Sequence, residues 1–258
     1  MSEYKKLVAL LIFSTLPCAA QILKPYDDFD HRFINSSKWA YALCFSSSGL
    51  EMECVREVRD GQLHLTHRHF GVQAVDGGQQ NGSALVGFAN ALSIRAIRAD
   101  VTVRSNVEVG CASNPSYGSN TGLWGTFFNA GSRDPNDDVG AELNLKRVPT
   151  DPPGQLNVIG QTFHAGIYSP YTSLGWVAIG TPVTITLAWD QPHHQFVISL
   201  ANKTTHAVTS ATMPYAFSDV TPVAGPAKTM GTGGFASNCA SPTSIYVDSV
   251  FDNVYIGQ

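Results

Sequence analysis

Thr184-Ile185-Thr186-Leu187-Ala188-Trp189-Asp190-Gln191-Pro192-His193-His194-Gln195-Phe196-Val197-Ile198 decides the fold class. Apolar side chains recur at every second position on both sides of a polar, proline-containing break. A two-residue period turns one face of a strand inward and the other outward. The same alternation runs through residues 94–103 by way of Ala96, Arg98, Asp100 and Thr102, and through Gln62-Leu63-His64-Leu65-Thr66 behind the turn signal Asp60-Gly61. Residues 122–128, 140–145, 156–163 and 244–256 read the same way, whereas few stretches sustain a 3.6-residue apolar period. Asp134-Pro135-Asn136-Asp137 and Asp151-Pro152-Pro153-Gly154 break the strands with turn residues. The expectation is an all-β, antiparallel two-sheet sandwich. No composition shift marks a linker and no internal repeat is visible, so residues 22–258 read as one domain.

Composition narrows the setting. The 258 residues are 43% hydrophobic and 14% charged, with a formal net charge of -4. A chain of that balance can bury a large core, and it lacks the basic surplus of a nucleic-acid binder. Lys5 and Lys6, the apolar run 7–16 and the small residues Cys18, Ala19 and Ala20 have the layout of an export leader. Residues 1–20 therefore read as a signal peptide and the protein as secreted or extracytoplasmic. After residue 20 no apolar run reaches the roughly 20 residues of a membrane span. Of five cysteines, Cys44, Cys54, Cys111 and Cys239 follow the leader, an even number that suits two disulfides in an oxidising compartment. Cys44 is expected to pair with Cys54, because the polar Ser46-Ser47-Ser48-Gly49 segment between them reads as a turn. That leaves Cys111 with Cys239, closing a long loop for which chain entropy assigns about 4 to 5 kcal/mol.

The order of motifs resembles the concanavalin A-like lectin/glucanase superfamily of jelly rolls, which includes laminin G-like modules and laminarinase-like glycosidases. Asp27-Asp28-Phe29-Asp30 followed by Trp39 is similar to its first strand and tryptophan, and Asp60-Gly61-Gln62-Leu63-His64-Leu65 to its Asp-Gly-x-Leu-x-Leu strand. The stretch quoted above is similar to its long hairpin. Val250-Phe251-Asp252-Asn253-Val254-Tyr255-Ile256 is similar to its closing strand, which pairs near the first. The resemblance implies a concave sheet whose groove takes ligands, and a structural calcium near the joined terminal strands with Asp28 and Asp252 as candidate ligands. Fold of this kind serves lectins, hydrolases and adhesion modules alike.

Asp138-Val139-Gly140-Ala141-Glu142-Leu143-Asn144-Leu145-Lys146 is the most informative segment for chemistry. As a strand it sets Glu142, Asn144 and Lys146 on one face over an apolar reverse face. Laminarinase-like enzymes carry Glu-x-Asp-x-x-Glu or Glu-x-Asp-x-Glu here. Glu142 matches the nucleophile position, Asn144 replaces the aspartate and Lys146 stands where the shorter pattern has its second glutamate. Retaining hydrolysis needs two carboxylates about 5 to 5.5 Å apart, and an ammonium is too weak an acid to replace one. Aromatics crowd the flanking segments. Trp124 with Phe128 is expected on one face of its strand and Phe127 on the other, while Tyr168, Tyr171 and Trp176 fall in a loop-like stretch suited to sugar stacking. His67 and His69 share a face, but lacking a third ligand they read as surface or hydrogen-bonded residues, and His193 and His194 as a hairpin tip. Asp134, Asn136 and Asp138 fail the EF-hand spacing. Asn35, Asn81 and Asn202 head glycosylation sequons.

The resulting expectation is an exported, non-catalytic module that binds carbohydrate or another surface through Trp124, Glu142, Asn144, Lys146, Tyr168, Tyr171 and Trp176. The alternatives are a glycoside hydrolase or polysaccharide lyase with atypical catalytic residues, and a structural or adhesive component of an extracellular assembly. Glycan is the expected partner, with no nucleic acid and no membrane span.

Overall fold

The computed structural model describes residues 22–47, 52–73 and 77–258; the expected leader at 1–20 and part of the Ser46–Gly49 segment lie outside them. The strands are β1 (Lys24–Asp27), β2 (Trp39–Ser46), β3 (Met52–Arg59), β4 (Gln62–Phe70), β5 (Gln79–Phe88), β6 (Ala96–Val109), β7 (Gly118–Asn129), β8 (Asp138–Arg147) and β9 (Gln155–His164). They continue with β10 (Ile167–Tyr168), β11 (Thr172–Ala178), β12 (Val183–Asp190), β13 (Gln195–Asn202), β14 (Val208–Pro214), β15 (Thr221–Pro222), β16 (Lys228–Ser237) and β17 (Ser244–Gly257). One sheet runs β14-β13-β12-β6-β17-β4-β3 with β1 against β17, and the other β10-β9-β8-β7-β16-β5-β2 with β11 against β9 and β15 against β7. All of these pairings are antiparallel. The chain passes repeatedly from one sheet to the other, and the result is an antiparallel two-sheet jelly-roll sandwich.

The alternation seen in the sequence becomes the core. Leu63 and Leu65 of β4, Ile97, Ala99 and Val101 of β6, Ile185 and Leu187 of β12 and Phe251 of β17 face Leu123, Val139, Leu143, Val158 and Met230 of the second sheet, all buried. At roughly 25 cal/mol per Å² of apolar surface, burial of side chains this large is the main favourable term. The hairpin that decided the fold class closes with Asp190 opposite Gln195, and the terminal strands join with Lys24 opposite Ile256. Asp27 at the end of β1 accepts the Trp39 indole N–H at 2.7 Å and the Lys38 ammonium at 3.2 Å, which ties the opening strand to the tryptophan. Both expected disulfides form. Cys44–Cys54 is no hairpin staple, because β2 and β3 are edge strands of different sheets and the bridge stitches the sandwich along one side.

Two expectations are corrected. The register of β7 against β8 slips between Thr126 and Phe128, and this bulge sends Phe127 and Phe128 both into the core while Trp124 points outward, so Trp124 and Phe128 do not share a face. His67 is neither a surface residue nor hydrogen-bonded, whereas His69 is buried and keeps the hydrogen-bonded reading through Nε2 at 3.1 Å from the Gln80 carbonyl oxygen. Both are 0% exposed between the sheets, with both ring nitrogens of His67 and Nδ1 of His69 lacking a hydrogen-bond partner. They fit because β5 carries Gly82 opposite them, where a Cβ would stand 2.4 Å from His67 Nε2.

Candidate functional site

The two outer faces differ in chemistry. On the β17 sheet the outward side chains are mostly polar, with Thr66 bonded to Asp248 and Thr184 and Lys203 to Asp100. On the β7 sheet aromatic and aliphatic side chains and glycines face outward with a few polar groups between them, and a hollow of about 520 Å³ lies among them. Its floor is the stretch of β5, β16 and β7 where Leu85, Gly231 and Gly122 stand side by side across the ladder. The glycines leave no room for more: a Cβ on Gly122 would lie 2.1 Å from the Leu143 carbonyl oxygen, and one on Gly231 3.0 Å from that of Ala84. One wall is the edge strand β2, whose alternation turns Tyr41 and Leu43 into the hollow. The Tyr41 ring lies over Gly87, where a Cβ would stand 2.3 Å from its Cζ.

The opposite wall is Trp124 of β7 with Glu142 and Asn144 of β8, so three of the sequence-designated residues line one hollow. Trp124 and Glu142 are direct cross-strand partners, and Glu142 is in turn opposite Gln161 of β9, whose amide donates to its Oε1 at 2.8 Å. Burial pushes the Glu142 carboxyl above its ordinary range, against the opposing effects of the Lys146 ammonium and the Gln161 and Asn144 amides. Trp124 is held by Phe163, whose ring stacks on it with centroids 5.0 Å apart and planes within 5°. Phe163 sinks over Gly140, where a Cβ would stand 2.1 Å from its Cζ. Tyr168 packs behind Phe163 at 5.7 Å.

Lys146, one step further along β8, bonds the Tyr171 hydroxyl and lies over the Tyr171 and Phe235 rings at 4.5 and 5.7 Å. Tyr168 and Trp176, expected in a loop, lie on the strands β10 and β11; Trp176 is opposite Asn157, itself opposite Lys146, and is 45% exposed at the rim of the same sheet. Lys146, Tyr168, Tyr171 and Trp176 thus surround the hollow without lining it. Tyr41, Leu43, Ser83, Leu85, Asn120 and Thr229 also line it and were not singled out from sequence. For Tyr41 and Leu43 the signal was present, since Tyr41-Ala42-Leu43-Cys44-Phe45 alternates large and small side chains.

A calcium site does not assemble from the expected residues. Asp28 is exposed beside β1, bordering a hollow shared with Asp27, Lys38 and Asn253. Asp252 is instead opposite Asp100 on β6 and accepts from the Asn253 backbone N–H at 2.7 Å. Among the described residues no group of three or more His, Cys, Asp or Glu side chains is placed to hold a metal ion. No described helix is long and apolar enough to cross a membrane.

No family model matches the chain, and no curated protein matches it. Among solved structures, lectin II from Ulex europaeus aligns over 81% of this chain and 97% of its own, at 14% identity and TM-score 0.33. The winged bean acidic lectin complexed with methyl-alpha-D-galactose aligns over 84% and 100%, at 11% identity and TM-score 0.34. A protein of unknown function from Shewanella oneidensis MR-1 aligns over 86% and 90%, at 14% identity and TM-score 0.34.

Proposed function

We propose that this is an exported, non-catalytic carbohydrate-binding module whose site is the glycine-floored hollow on the β7 sheet. The observation that carries the reading is the combination of exposed aromatic and aliphatic side chains on the walls with a few polar groups placed among them. Pyranose rings stack their C–H faces on surfaces such as Trp124 and Tyr41, while Glu142, Asn144 and Asn120 exchange hydrogen bonds with hydroxyls. Gly122 and Gly231 in the floor let a flat ring approach the backbone there. The two disulfides support export, since such bonds persist in oxidising compartments.

The raised Glu142 carboxyl is what favours a hydrolase as second reading, because perturbed acids cluster at catalytic sites. Glu142 is, however, the one carboxylate among the residues lining the hollow. The next along its strand, Asp138, is four residues away, about 13 Å at strand rise, beyond the separations of either glycosidase geometry. Both Asp138 oxygens are also occupied, by the Asn129 amide and the Ala224 and Gly225 backbone N–H groups. A glycan array probed with the protein and with Trp124→Ala tests the reading. Selective binding lost in the variant supports it, and an array on which the wild type binds nothing rejects it.

A further inference from the structure

A second hollow, of about 570 Å³, opens on the same face beyond the Trp124–Phe163 stack. Trp124 lines both spaces. The outward residues of β7 set them end to end: Asn120, Gly122 and Trp124 border the first, and Trp124 and Thr126 the second. From Asn120 to Thr126 is six residues of strand, about 20 Å. Each hollow alone falls in the range that encloses a drug-sized ligand, and together they exceed it. The second is walled by Phe163, Ala165, Gly166 and Gly225, so little side chain closes it off, and Asn136 overhangs it from the exposed turn before β8. Its one carboxylate, Asp138, has both oxygens engaged by donors of its own chain, and its hydroxyl, Thr126 Oγ1, is engaged with Gly225 and Ala227. Nothing in it calls for a charged ligand.

Resting on the glycan reading of the first hollow, we propose that the ligand is an extended chain of uncharged sugars that runs along β7, crosses Trp124 and fills both hollows. The site then reads an internal stretch of a neutral polysaccharide and not a single terminal sugar. Trp124 sits at the crossing, with Phe163 fixing its ring from one side, so that successive sugars contact it from the two spaces. The second hollow contributes contact area and backbone hydrogen-bonding groups to long chains only.

The test is an array that prints each neutral glycan as a series from two to six sugars, probed with the wild type and with Asn136→Met and Ala165→Met. Both positions are exposed, and the longer uncharged side chain intrudes on the second hollow without touching the first. The wild type is expected to bind the longest members at least tenfold more tightly than the shortest. The variants should bring the long members down to the level of the short ones and leave the short ones unchanged. Equal wild-type binding at all lengths, or long-chain binding unaltered in both variants, overturns this proposal while the glycan reading stands. Absence of binding at every length rejects the glycan reading and this proposal together.

Discussion

Acid should destabilise this protein through His67. The ring lies fully buried with no partner for either nitrogen, and burial together with the neighbouring His69, 5.1 Å away between centroids, lowers its pKa to about 4. In the unfolded chain the same ring titrates near 6.5. Between these values the unfolded state holds the proton and the native state does not. Stability is therefore fully present above pH 6.5 and drains away as pH falls towards 4. The separation of about 2.5 pH units corresponds to about 3 kcal/mol when complete, and most of it is lost by pH 4.5. His69 and His64, both shifted downward chiefly by burial, add to the loss with the same sign. His67→Leu keeps an apolar filling opposite Gly82 and removes the proton site. Urea unfolding of wild type and variant at pH 7.5 and pH 4.5 isolates the contribution, since the other titrating groups are common to both. The wild type should lose about 2 to 3 kcal/mol more than the variant on acidification. Equal losses would show that the ring is protonated in the native state at pH 4.5, and the reasoning from its burial would fail.

Lys228 gives a second titration. Its ammonium is buried, donates to the Thr126 carbonyl oxygen at 2.7 Å and lies over the Phe127 ring, and burial lowers its pKa to about 7. The unfolded chain keeps that proton up to about pH 10.4, so Lys228 makes the wild type gain stability from pH 7 to 10. Lys228→Met should lack that gain and be more stable than wild type at pH 7 by about 1 to 4 kcal/mol, measured by denaturant unfolding. Because no three His, Cys, Asp or Glu side chains among the described residues converge around Asp28 or Asp252, the melting temperature should be the same in excess calcium and in chelator; a rise with calcium would place an ion the described carboxylates do not account for. The protein should release no reducing ends from laminarin, and release that disappears in Glu142→Gln would promote the hydrolase reading.

The apolar strands were legible in the sequence because burial on one face writes itself as alternation: Leu63 and Leu65, Ile97 to Val103, Ile185 and Leu187 all point inward as read. Strands β5 and β16 were not legible. Gly82 and Gly87, and Gly231, Gly233 and Gly234, weaken any local strand signal, and these strands hold their place through tertiary contact between ladders on both sides. Those glycines are also what floors the hollow and receives His67, so the least legible segments are the ones that shape the site. Alternation left open which face of β7 is buried, and its grouping of Trp124 with Phe128 failed because a bulge leaves no mark in a pattern of period two. The cross-strand neighbours of Glu142 were beyond sequence reading, since the pairing with Trp124 and Gln161 is set by register across three strands.

The central claim is that the hollow floored by Gly122 and Gly231 binds carbohydrate. It is tested most directly by probing one glycan array with the wild type, with Leu43→Asp and with Val208→Asp. Leu43 is 50% exposed on the wall of the hollow, and Val208 is 70% exposed on the edge of the other sheet, so neither change disturbs the core. The account predicts that Val208→Asp keeps the wild-type glycan profile and that Leu43→Asp loses it. A Leu43→Asp protein that binds the same glycans with wild-type strength would contradict the assignment of the site.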